Sequence, residues 1–248
     1  MSRATSAKPV AASSAGSKGG YLADSERPLS SLVFVLPFLV IYELGAHTFA
    51  RGQSYPELVA FRLMRDFFDF FGATGRYMPA MAVVAILLSW HIARNDPWRV
   101  RTGTLVGMFF ESLLLGVPLI FVCLVVSRYL PLAGGQWSGM VIMSLGAGIY
   151  EELIFRLCAM TLLNLALVDL LKMRRWLAAG LMVLVPAVLF SLYHYLGDEQ
   201  FSGGSFLFRT LAGVYFGVVF LCRGFGVTAG AHAAYDVWIV ALVAWHGR

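Results

Sequence analysis

The chain is 248 residues long, 59% hydrophobic and only 13% charged, with a formal net charge of +5. Soluble domains carry about 25% charged residues, so a mean hydropathy of +0.74 excludes a water-soluble globular domain and points to a membrane protein. The basic residues lie in an N-terminal tail and in loops, as the positive-inside rule produces, and imply no nucleic-acid partner.

Residues 1–28, opening MSRATSAKPVAASSAGSKGG, are small, polar and basic and read as a disordered tail. The apolar run 31–42 continues through Glu43 without a convincing small-residue cleavage site, so it reads as a retained anchor rather than a cleaved signal peptide. Further apolar runs follow at 78–90, 103–127, 138–172, 177–196, 206–222 and 226–245. A helix of about 20 such residues crosses the roughly 30 Å hydrocarbon core. The expected fold is therefore all-α: a polytopic bundle of about seven or eight membrane segments, forming one embedded domain over 29–248.

Between the first two runs, FRLMRDFFDFFGATGRY sets Phe61, Met64, Phe67, Phe68 and Phe71 at helical spacing. That suits an amphipathic helix in the interface, or one packed under neighbouring loops. Gly213 with Gly217, and Gly226 with Gly230, have the small-residue spacing that lets helices approach closely in lipid. Cys123, Cys158 and Cys222 lie inside apolar runs without metal-ligand spacing and read as small hydrophobes.

The informative stretch is GIYEELIFRLC, residues 148–158, which sets two glutamates and an arginine inside a membrane run. Each such charge costs about 2.5–3.5 kcal/mol at a helix centre. Glu151, Glu152, Arg156 and Asp236 together would cost on the order of 10–14 kcal/mol, comparable with the whole stability of a domain. They must be paired, hydrated by a cavity or partly neutral, and they are candidates for function.

Glu152 and Arg156, four apart with the acid first, share a helix face in the favourable orientation. Glu151 is turned about 100° away and lacks that partner, and a free carboxylate in a poorly solvated cavity suits a general base. FSLYHY puts Phe190 and His194 four apart, and AHAAYDVW does the same for His232 and Asp236. Glu43 and His47 read as a surface-level pair, Glu111 as a possible cavity residue, and Asp169 as solvated beside Lys172.

Glu151-Glu152-x-x-x-Arg156, Phe190-x-x-x-His194 and His232-x-x-x-Asp236, in this order on separate segments, resemble the three motifs of the CAAX protease and bacteriocin-processing (CPBP, or Abi) family of intramembrane endopeptidases. The resemblance covers residues 138–245. It implies a multi-pass integral membrane protein, of the cell membrane if bacterial, cleaving a membrane-associated protein or peptide without a cofactor. It implies Glu151 as the base activating water, His194 and His232 as helpers at the water and oxyanion, and Glu152 with Arg156 holding the site. The prenyl-protein enzymes have Asn where this chain has Asp236, although the wider family accepts Asp. An ionised carboxylate only accepts hydrogen bonds, so Asp236 would act protonated or by orienting His232.

Rival readings stay open. Glu151, His194, His232 and Asp236 could supply zinc ligands, but no HExxH is present. A serine protease would rest on Ser138 and His232, with Ser138 at a segment start. A non-proteolytic scaffold or bacteriocin-immunity role is the family's own alternative. Heights are also unresolved. At about 1.5 Å per residue, Glu151 and His194 share a level, while a full crossing by 206–222 sets His232 toward the other side. Helix tilt, a long helix leaving the membrane before Asp169, or a partial crossing would each reconcile them.

Overall fold

The computed structural model describes residues 20–50, 57–126, 137–197 and 199–246, and contains helices and no strand among them. The helices are α1 (Tyr21–Ser25), α2 (Pro28–Ala50), α3 (Val59–Phe70), α4 (Met78–Arg94), α5 (Thr102–Val126), α6 (Trp137–Glu152), α7 (Ala159–Asn164), α8 (Arg175–Tyr193) and α9 (Gly203–His246). A π-helical turn, Leu153–Cys158, joins α6 to α7, a second, Leu165–Leu170, extends that rod, and a 3₁₀ turn, His194–Leu196, closes α8. Five of these rods are long and apolar enough to cross a membrane, and α4 is a shorter apolar helix.

The seven apolar runs correspond to these elements once α9 is divided. At Gly224 the backbone takes φ 73° and ψ −176°, a region open essentially only to glycine. There the chain folds back. The rings of Phe208 and Tyr235 lie 6.2 Å apart, although 27 residues of straight helix would separate them by about 40 Å. The two halves of α9 thus form an antiparallel hairpin, and they match the runs 206–222 and 226–245.

The small-residue motifs serve this packing within the chain. Gly213 and Gly217 lie against Ala187 and Val183 of α8, whereas Gly226 and Gly230 admit Ser31 and Phe34 of α2 with Met108 and Ser112 of α5. In lipid, where helix association rests on close van der Waals contact, these approaches hold the second half of α9 among α2, α5 and α6.

Three expectations change. The tail expected over 1–28 stops short: Tyr21–Ser25 are helical, with Asp24 and Ser25 buried, while 1–19 lie outside the described residues. Glu43 and His47 do not pair at the surface, because Glu43 is buried and accepts the Tyr150 hydroxyl at 2.7 Å while His47 meets Arg76 at 2.8 Å. Glu111 lies away from the candidate site, bound by Arg223 and Tyr21. In each case a partner from a distant helix displaced a local reading.

The rod from Trp137 to Leu170 has 34 residues. At about 1.5 Å each it is about 50 Å long, well beyond a bilayer core of roughly 30 Å. Its length supplies one of the three reconciliations for the level of the glutamates.

Candidate active site

Gly146, Ala147 and Gly148 precede the glutamate pair on α6, and this small-residue stretch admits another helix closely. A Cβ on Gly148 would stand 2.6 Å from the Ala229 carbonyl oxygen and 2.9 Å from the Ala233 nitrogen. Only glycine permits that approach, which carries His232 onto the glutamates. Immediately after the pair, α6 widens into the Leu153–Cys158 π-turn, a feature that recurs at functional sites. Arg156, on this turn, still reaches back to Glu152 at 3.0 Å, with side chains 1% and 0% exposed.

All six residues singled out from sequence converge, from α6 and its π-turn, the end of α8 and the second half of α9. Arg156 also donates to the Gly213 carbonyl at 3.2 Å and lies over the Phe190 ring at 4.6 Å. Glu152 receives a second contact, from His232 Nδ1 at 2.7 Å. Because a carboxylate accepts, that nitrogen carries the hydrogen and leaves Nε2 to face Glu151 at 3.7 Å and Asp236 at 3.6 Å. The imidazole is stacked on Phe216 at 4.7 Å, which fixes its plane. His194 Nδ1 lies 2.7 Å from the Phe190 carbonyl, an acceptor, so its hydrogen is also on Nδ1 and Nε2 is available.

Glu151 is not wholly free: Tyr193 donates its hydroxyl to Oε1. The other oxygen, Oε2, faces His232. Glu151, His194, His232 and Asp236 line one cavity of about 550 Å³, whose remaining wall includes Phe190, Phe208, Ala212 and Phe216. Glu152 and Arg156 lie behind that wall. The half-exposed Glu199 and the more buried Arg209 also line the cavity, and they pair at 2.7 and 2.9 Å. Among the described residues, no three His, Cys, Asp or Glu side chains converge as a metal-holding group; one nitrogen of His232 is committed to Glu152.

Three features were not read from sequence. Asp236 was expected to act protonated or by orienting His232, and it stands 3.6 Å from Nε2 while Glu152 takes the Nδ1 position. Tyr193 was passed over, although it directly precedes His194, because adjacent residues on a helix face different ways; the 3₁₀ turn beginning at His194 lets both reach the site. Phe216 had no signal at all, since its contact with His232 exists only through the hairpin.

Residues 133–238 match the family model described as type II CAAX prenyl endopeptidase Rce1-like, a stretch that encloses all six residues and bears out the resemblance. No curated protein and no solved structure matches the chain.

Proposed function

We propose, from the match of residues 133–238 to the type II CAAX prenyl endopeptidase Rce1-like family model, that the chain is an intramembrane glutamic endopeptidase, cleaving a membrane-associated protein or peptide through a water activated by Glu151. The observation that carries this reading is the asymmetry of the glutamate pair. Glu152 is closed off by Arg156 and His232, whereas Glu151 opens on the cavity.

Tyr193 holds one oxygen of Glu151 and leaves the other to take a proton from water. His194, with Nδ1–H spent on the Phe190 carbonyl, offers Nε2 as an acceptor that aligns the same water. The hydroxide adds to the substrate carbonyl. His232, backed by Glu152 and flanked by Asp236, in its protonated form donates from Nε2 to the developing oxyanion. Glu151 then passes its proton to the leaving amine, so atoms and charge balance without another reactant. Asp236 supports the positive charge of the ring and does not contact the oxyanion itself. Apolar Phe208, Phe216 and Ile239 in the cavity wall suit an apolar peptide segment or a lipid chain beside the scissile bond.

The test is Glu151→Gln at matched expression, read by a quantitative census of peptide termini in host membranes. Loss of a general base lowers turnover by about 10²–10⁴-fold, so termini that require Glu151 should vanish while the protein keeps its melting temperature. Full turnover in the variant would remove Glu151 as base. No difference in termini, with both proteins folded and in place, would favour a scaffold or immunity role.

A further inference from the structure

Helix α3 joins the end of α2 to the start of α4, and its 12 residues span only about 18 Å, too short to cross the bilayer. Its two halves have different surroundings. In the first, Phe61 is buried against Tyr42 at 5.8 Å and Tyr150 at 5.4 Å, next to Glu151 in sequence. Arg62 donates to the Leu196 carbonyl at 3.3 Å, at the end of the 3₁₀ turn that begins with His194. In the second half and just beyond it, Phe67, Phe70 and Phe71 are 59%, 83% and 68% exposed. Phe71 meets Phe67 and Phe70 edge-on, with centroids 5.1 and 5.2 Å apart, as an ordered aromatic cluster left exposed by the described residues.

We propose that this cluster is an interfacial anchor, seated among lipid headgroups and upper acyl carbons beside the mouth of the cavity. The occupant follows from position and charge. The cluster lies on the connection between a membrane-crossing helix and a second apolar helix, so it continues the lipid-facing surface of the bundle. Residues 57–77 hold Glu57, Asp66 and Asp69 against Arg62, Arg65 and Arg76, a net charge of zero. Each arginine is already engaged: Arg62 by Leu196, Arg65 by Glu57, Arg76 by His47. The attraction is therefore aromatic burial at the boundary rather than recognition of anionic lipid. Leu196 stands three residues before Glu199 of the cavity wall, so α3 places that wall at headgroup level. The anchor does not depend on Glu151 being a base, and its test uses no substrate.

The full chain carrying Phe70→p-benzoylphenylalanine is reconstituted in nanodiscs of phosphatidylcholine, alone or mixed equally with phosphatidylglycerol, and photolysed. Mass spectrometry then identifies the adduct. Leu114→p-benzoylphenylalanine, at the exposed middle of α5, gives the depth reference, and Phe71→p-benzoylphenylalanine repeats the measurement should the first variant misfold. Phospholipid adducts at the glycerol or first acyl carbons for Phe70, with distal acyl carbons for Leu114, are expected. Yields should differ by less than about twofold between the lipid mixtures. Adducts to this chain or to a second copy, adducts as deep as those of Leu114, or no adduct at Phe70 while Leu114 labels lipid, would each overturn the anchor.

Discussion

Two carboxylate–arginine clusters contact the hairpin of α9, one partly exposed and one buried, and they are built to different ends. At its apex Arg223 meets Glu111 and Ser25, at 2.9 and 2.8 Å, and Glu26 at 3.3 Å, with Tyr21 closing over Glu111. Every polar partner there is matched, and α1, α5 and the apex are stapled together. Lower in the hairpin, Arg156 and His232 both serve Glu152, while Glu151 keeps one oxygen toward a cavity. Three carboxyl groups there surround the Arg156 guanidinium and the His232 imidazole, so the set of ion pairs is left incomplete. Saturation suits a structural role, and an incomplete set beside a cavity suits the chemistry proposed for it.

Mutation can break or sharpen that contrast, beginning with the largest effect. Glu151→Gln, as above, removes turnover and leaves the fold. Arg156→Ala leaves Glu152 buried against His232 alone, and breaking such a pair costs about 3–5 kcal/mol. Thermal melting in detergent should show a large fall, and an unchanged melting temperature would show that Glu152 does not need Arg156. Arg223→Met removes the apex staple from a less buried setting, at about 1.5–3 kcal/mol for its charged hydrogen bonds. The folded fraction should keep full specific activity, whereas a loss of activity per folded molecule would make the apex part of the site. Gly224→Ala forces a side chain into a glycine-only backbone region at about 1–3 kcal/mol, again seen as a lower melting temperature. The smallest effect belongs to Glu199→Gln: its pair with Arg209 is only partly buried, so stability should change by less than about 1 kcal/mol, measured by the same melts.

The six residues singled out from sequence come together in the fold because the signals that marked them are local. Glu152 and Arg156 pair at 3.0 Å as their four-residue spacing requires, even across a π-turn that no periodicity announces. Seven apolar runs became helices or halves of helices because hydrocarbon leaves a spanning backbone little alternative. Glu43 and Glu111 were misread for the complementary reason. Their partners, Tyr150 and Arg223, lie 107 and 112 residues away, and no spacing rule reaches that far.

By itself, then, the sequence determined an all-helical membrane bundle and marked six polar residues that the fold brings together, since composition, length and i,i+4 spacing are properties of single helices. Tertiary structure decided which carboxylate takes His232 Nδ1, and that Tyr193 and Phe216 stand beside the six residues. Those outcomes depend on the reversal at Gly224 and the close approach at Gly148, which bring together side chains 42 and 80 residues apart. Such contacts follow from how helices pack, and helix packing is settled by the shapes of several surfaces at once rather than by any one stretch of chain.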